Sequence, residues 1–268
     1  MNINRRIIYL LVAVVVTVPL IIKIAMPVRV SPPVQLAYDK LDELKPGSVV
    51  LLSTDYEAGT MPELYPMTIA ILKHLFSRDI KVLLMSMYAL GVPIGTMALD
   101  EVAAEYDKKY GEDYAILGFK PGLNVVIVAM GSEIRDAFPT DYAGTPLEDL
   151  PVMKGVDNYD DIPILIDLCS GSTLDSWVMF AQARFGQRII AGCTAVMATS
   201  FYPYLNAGQI EGLIGGLKGA AEYEKLIESP AVATSGMPAQ SFMHILILVL
   251  IIIGNISFFI ERRRKRRS

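Results

Sequence analysis

The small polar run Cys169-Ser170-Gly171-Ser172-Thr173 falls between an apolar stretch and a helical pattern. Its residue types could do two kinds of chemistry. Backbone N–H groups and hydroxyls at a helix start can cradle an anion, and a thiol or hydroxyl there can act as a nucleophile if a base activates it. The chain offers little to serve as that base. Of its 2 histidines, His244 lies in an apolar run near the carboxyl end, and His74 follows Lys73 deep in a helical pattern. Lys120 is better placed, after a strand-like run, but an exposed turn lysine stays protonated unless it is buried. The loop has neither the Walker A nor the dinucleotide pattern, and a helix cap by Ser172 or Thr173 explains it as well.

Carboxylates form the other candidate sets. Asp55, Glu57 and Glu63 could gather a hard cation, as could Asp157, Asp160 and Asp161. Neither set has EF-hand spacing, and acidic loops are ordinarily solvated, so no metal and no cofactor is expected. No catalytic residue is assigned. The candidate ligand-binding set is Asp55, Lys120, Cys169, Ser170, Gly171, Ser172 and Thr173.

These positions gain meaning from the elements that carry them. Strand-like runs at 48–54 (SVVLLST), 80–86 (IKVLLMS), 114–119 (YAILGF), 162–168 (IPILIDL) and 187–194 (QRIIAGCT) alternate with helical patterns. Helical spacing marks Met67, Ile71, Leu72, Leu75 and Phe76 behind a Thr60–Glu63 capping box. It marks Leu99, Val102, Ala103 and Tyr106 next, then 173–185 with the single tryptophan, Trp177, and finally 208–227. Residues 123–130 open on Pro-Gly and read as helix despite their β-branched content, and 146–153 read as a short helix in the acidic connection 141–161. Alternation of this kind indicates a parallel sheet covered by helices. The predicted fold is α/β: three layers around a flavodoxin-like or Rossmann-like, mostly parallel sheet of about five strands. Right-handed crossovers bring the strand carboxyl ends to one edge, and ligands of such sheets bind there.

The segment 208–227 (GQIEGLIGGLKGAAEYEKLI) reads as a helix with Gly208, Gly212 and Gly216 four apart and Gly215 and Gly219 beside them. Glycine costs about 0.8–1 kcal/mol against alanine in a helix interior, so such a stripe calls for close contact. Close packing on the sheet and self-association with a second copy both fit. Asn255, a polar residue in an apolar run, adds to the second reading, because an amide in lipid seeks an interhelical partner.

Two apolar runs bracket the domain. Residues 7–28 (IIYLLVAVVVTVPLIIKIAMPV) hold one charge, Lys23, and residues 242–260 (FMHILILVLIIIGNISFFI) hold none. A helix of about 20 residues crosses a hydrocarbon core of about 30 Å, and helices satisfy their own backbone groups in lipid. The first run exceeds a signal-peptide core of about 7–15 residues, although Ala25 and Pro27 leave cleavage open. Arg5 and Arg6 at one end, and Arg262, Arg263, Arg264, Lys265, Arg266 and Arg267 at the other, place both termini in the cytoplasm. Lys23 can snorkel to the outer interface, and the basic tail suits anionic lipid headgroups. The resulting plan is a span at 7–28, an extracytoplasmic domain at 29–228, a flexible tether at 229–241 and a span at 242–260, in a plasma membrane. Of the 24 Lys and Arg, eight lie in the two tails, and of the 28 Asp and Glu one does, which leaves the middle at a formal −11. That charge excludes nucleic acid as a partner. Cys169 and Cys193 form no metal pattern; buried thiols or a single bridge are the two readings.

The blocks VRVSPPVQLAYD, GSVVLLSTDYEAGTMPELYPMTIAILKHLF and GQIEGLIGGLKGAAEYEKLI resemble an uncharacterised family of bacterial membrane proteins with the same span–domain–span plan. That resemblance implies a bacterial plasma membrane and carries over no reaction, cofactor or site residue. More loosely, the domain is similar to extracytoplasmic α/β domains of gliding-type transporter auxiliary proteins. The leading expectation is a membrane-anchored structural, assembly or scaffold component, whose partners are the lipid bilayer and either further copies or other membrane subunits. A small-ligand-binding or hydrolytic domain at the strand-end edge is the alternative. An accessory transporter subunit is a third reading, and it needs a partner with a conduction path.

Overall fold

The computed structural model describes residues 4–22 and 27–265 of the 268-residue chain. Lys23, Ala25, Arg266 and Arg267, which enter the membrane reading, lie outside the described residues. The chain divides into two units: Val28–Ala233, and the terminal segments Met1–Pro27 with Thr234–Ser268.

Along the chain, α1 (Arg5–Ile22) belongs to the terminal unit. The domain then runs α2 (Pro32–Asp42), β1 (Val49–Asp55), α3 (Met61–Ser77), β2 (Lys81–Ser86), α4 (Gly91–Glu105), β3 (Tyr114–Phe119), α5 (Leu123–Met130) and α6 (Ile134–Ala137). It continues with β4 (Leu165–Cys169), α7 (Thr173–Trp177), a π-helical turn (Val178–Gln182), α8 (Ala183–Phe185), β5 (Ile189–Cys193), α9 (Ala195–Asn206), β6 (Gly212–Gly215) and α10 (Gly216–Leu226). A long helix, α11 (Val232–Lys265), follows.

The six strands form one parallel sheet in the order β3-β2-β1-β4-β5-β6. Strands β1, β4 and β5 are buried at every residue. Burial on both faces by crossover helices is why they read as continuous apolar runs instead of alternating ones. The order is that of a doubly wound fold, with its reversal between β1 and β4.

The sixth strand comes from a segment that the glycine spacing assigns to a helix, and this corrects the self-association stripe. Gly208 takes a positive φ of 69° just after α9, Gly212 and Gly215 bound β6, and Gly216 opens α10 with φ 61°. Gly212 lies where a Cβ would overlap the Ala37 backbone of α2, and Gly219 lies against Ile214. These glycines meet turn and packing demands inside the domain, so their four-residue spacing marks no helix face. Helix α9 has no counterpart in the sequence reading because of its 12 residues only Phe201 is buried, which leaves no apolar stripe to detect. Residues 146–153 form two 3-10 turns, Leu147–Asp149 and Pro151–Met153. The expected capping box at Thr60 does not form. Thr60 donates to the Glu57 carbonyl, and Glu63 accepts from Ala195 N–H at the start of α9, 2.8 Å away.

In the terminal unit, α1 and α11 are both long and apolar enough to cross a membrane, with mean hydropathies of 2.2 in α1 and 2.6 in the most apolar 18 residues of 232–260. An apolar groove of about 390 Å³ runs between them, with Val15 and Pro19 on one side and Ile245 and Val249 on the other. Both His244 and Asn255 are exposed on α11.

Helix α10 holds the chain near both ends of the domain, next to the terminal segments. Ser31, the N-cap of α2, donates its N–H and its hydroxyl to buried Glu222, which also pairs with Lys218. Lys225 donates to the Val28 carbonyl at 2.7 Å. Buried Glu224 accepts from Ala231 N–H at 2.8 Å and Ala233 N–H at 2.9 Å, capping the start of α11. The segment 229–241, expected as an extended tether, is therefore helical from Val232. Replacing Glu224 by Ala strands these amides, and a lost bond to a charged group is worth about 1.5–3 kcal/mol. The variant is expected to unfold with that much less stability in detergent and to exchange its amides at 231 and 233 faster. Unchanged exchange there would contradict the capping role.

Candidate functional site

Crossovers that leave β1 and β4 in opposite directions place α3 and α7 on opposite faces of the sheet, which opens a crevice at the strand-order reversal. Ser53 pairs with Asp167 and Asp55 with Cys169 in register. Strand alternation then puts all four side chains on one face, beneath α7.

Asp55 is fully buried at the end of β1. One carboxylate oxygen accepts from Ser53 Oγ at 2.8 Å and Met87 N–H at 2.6 Å, while Ser86 Oγ, 3.3 Å away, gives its one proton to the Thr54 carbonyl at 2.7 Å. The other accepts from Trp177 Nε1 at 3.3 Å. Its main-chain carbonyl accepts from Ser170 N–H at 3.1 Å, so the same residue fixes the loop after β4. Trp177 closes α7, and the π-helical turn that follows offsets the helix at that point; such turns recur at functional sites.

Asp167, one strand away, is just as buried, yet neither of its oxygens meets a partner at hydrogen-bond geometry, although Asp55, Cys169 and Thr173 border it. Burial, followed by the charge of Asp55, pushes its carboxyl well above the usual range. Burial also raises Asp55, but the Met87 amide, Asp167, Ser53 and Trp177 oppose that rise. The charge therefore resides on Asp55, which has the donors, and the proton on Asp167.

Both cysteines are free, buried and paired in register across β4 and β5. Burial pushes the Cys169 thiol well up and the Cys193 thiol up to about 12, so neither is a thiolate near neutral pH.

Above the carboxyl pair, Glu57, Met87, Tyr88, Leu90, Phe119 and the Ser170-Gly171 turn surround an open cleft of about 570 Å³. Gly171 permits this arrangement, since a Cβ there would stand 2.6 Å from the Tyr88 hydroxyl. The predicted ligand set is thus divided. Ser170 and Gly171 line the cleft, Asp55 supports it from below, and Lys120 is exposed outside the lining. Cys169 faces the core, exposed Ser172 makes no cap bond from its side chain, and buried Thr173 Oγ1 has no partner. The plain helix cap is therefore not formed.

The acidic sets do not converge either, and no metal-type group occurs among the described residues. Glu57 is exposed, Glu63 caps α9, Asp157 pairs with Arg135 at 2.8 Å, and Asp161 accepts from Asp157 N–H. His74 is buried far from the cleft, 2.7 Å from Tyr223 Oη through Nδ1 and stacked on Tyr38. Burial lowers its pKa, which makes it a neutral packing group.

Sequence reasoning missed Asp167, Trp177 and Tyr88 as site residues. For Asp167 a signal existed: it is the one charged residue in the strand-like run IPILIDL.

The raised carboxyl of Asp167 sets a pH dependence. A folded-state pKa above the unfolded value of about 3.9 gives stability that is complete below that value and is lost as pH rises through the folded pKa. Asp167→Asn removes the term. The variant is expected to exceed the wild type by about 1 kcal/mol or more at pH 8, each pKa unit counting about 1.4 kcal/mol, with no such gain at pH 4. Denaturant unfolding at the two pH values checks this, and equal differences at both would contradict it.

The chain matches no family model, no curated protein and no solved structure.

Proposed function

We propose that the chain is a membrane-anchored small-ligand-binding protein whose α/β domain takes its ligand in the cleft above Asp55. The observation that carries this reading is the coincidence of three features at one place. The strand order reverses there, a cleft of about 570 Å³ opens there, and a buried carboxyl pair lies directly beneath. Clefts with a few convergent polar groups and perturbed ionisable residues are where ligands bind. In the proposed arrangement α1 and α11 span a bacterial plasma membrane with both termini in the cytoplasm and the domain outside. Arg262 and Arg263 at the end of α11 support that orientation.

A role in a membrane assembly, such as a scaffold or an accessory transporter subunit, has one specific observation in its favour. His244 and Asn255 are exposed on α11, eleven residues or about three turns apart, and so lie on one face. An amide is both donor and acceptor, so a second copy's Asn255 can satisfy it in lipid. That reading makes the protein a homo-oligomer that displays several clefts.

Gly171→Val fills the space against Tyr88. It is expected to abolish density for a co-purifying small molecule in the cleft, and ligand-dependent thermal stabilisation, while the unliganded unfolding temperature moves by only a few degrees, on the order of 1 kcal/mol. Stabilisation that survives the substitution would place binding elsewhere. Orientation and assembly are read together from single cysteines, because both native thiols are buried. A cysteine at Tyr142, which is 65% exposed, is expected to react with an impermeant maleimide in intact cells. Leu248→Cys, on the Asn255 face, is expected to cross-link between copies. Protection of position 142 until cells are opened would reverse the topology, and a Leu248→Cys chain that stays monomeric would remove the assembly role.

A further inference from the structure

The chemistry of the cleft walls narrows the ligand class, on the reading that the cleft is a ligand site. Doubly wound sheets receive phosphate groups at the loop after the first strand and at helix amino ends on the same edge. Here the chain's own carboxylates stand in the loop after β1 and at the amino end of α9, while the amino end of α4, next to Leu90, has no acid in its first turn. The loop after β1 runs Asp55-Tyr56-Glu57, with Asp55 beneath the cleft and Glu57 on its wall. At α9, the Ala195 N–H that could meet an anion donates to Glu63. Tyr88 reports the local field. Burial raises its hydroxyl first, and the nearby Asp55 and Glu57 carboxylates raise it further, while Asp167 and Cys169 beside it hold their protons. Lys120 is not part of the lining.

The remaining walls are apolar and aromatic. Leu90 is 63% exposed and Phe119 37% exposed, so the cleft offers apolar surface to the body of a ligand.

We propose that the cleft binds a small organic cation, an ammonium or guanidinium group on an apolar body. The charged head lies at the Glu57 carboxylate beside the Tyr88 ring and the Ser170 hydroxyl, and the body covers Leu90 and Phe119. An aromatic face attracts a cation through its quadrupole, and the negative field at Tyr88 attracts it over a longer range. No residue changes covalently.

The test uses the full chain in detergent, with fluorescence of Trp177, the single tryptophan, and calorimetry as readouts. The probes are phenethylammonium and agmatine, with 2-phenylethanol as the uncharged analogue and ADP and inorganic phosphate as anions. Saturable binding of at least one cationic probe is expected, with 2-phenylethanol at least tenfold weaker than phenethylammonium and the anions silent. Glu57→Gln is expected to weaken the cation at least tenfold while the unfolding temperature of the exposed-site variant stays unchanged. Binding of ADP or phosphate that Gly171→Val abolishes would overturn the cationic class and keep the cleft as a ligand site. Cation binding indifferent to Glu57→Gln would overturn the proposed head-group position. Failure of every probe would overturn the cationic class, while a molecule of another class co-purifying in the cleft would still uphold the site.

Discussion

A single buried carboxylate at the point of strand reversal organises the functional edge of this domain. An ion taken from water into a protein interior loses several kcal/mol of solvation, and three donors from three segments, Ser53 Oγ, Met87 N–H and Trp177 Nε1, converge on Asp55. Hydrogen bonds to a charged group are each worth about 1.5–3 kcal/mol, so the set opposes the rise that burial causes in the Asp55 carboxyl. The donors are themselves constrained in return. Met87 N–H fixes the turn out of β2, and Trp177 fixes the first turns after β4. Ser170 N–H, bound to the Asp55 carbonyl, fixes the loop between them. The walls of the cleft are therefore held by contacts to one residue, and the proton on Asp167 keeps a second charge from competing for the same donors.

A similar economy of residues appears at the other functional boundary. Helix α10 carries Glu222 and Glu224, two residues apart, and each caps a different helix near an end of the domain. Buried carboxylates at helix amino ends satisfy orphan N–H groups and favour the helix dipole. Helix α10 packs on α3, whose amino end follows the β1 loop, so both helices belong to the same layer of the domain.

Much of the fold was legible because burial leaves a strong trace in sequence. Strands β1 to β5 are mostly apolar runs between turn formers, and their alternation with helices specifies the layers. What escaped had weak or misleading periodicity. Helix α9 is exposed along most of its length, and β6 is a four-residue edge strand whose glycines imitate a helical repeat. The glycines of α4 went unread for a different reason. Gly91 and Gly95 let the helix approach Thr54 and Ser86, a tertiary demand that spacing does not encode. For the site, the strand-end rule located Asp55, Ser170 and Gly171, but it could not show which side chains face the crevice and which face the core. Cys169 and Thr173 face inward, and Asp167 works from inside a strand, three residues before the loop that drew attention.

The distribution of one proton between Asp55 and Asp167 is the claim on which the rest turns. Carboxyl carbon resonances of ¹³C-aspartate-labelled protein, assigned by Asp55→Asn and Asp167→Asn, measure it directly at pH 7. The account predicts an ionised signal from Asp55 and a protonated one from Asp167 that persists above the usual carboxylate range. Two ionised signals at pH 7, or a protonated Asp55 beside an ionised Asp167, would contradict it.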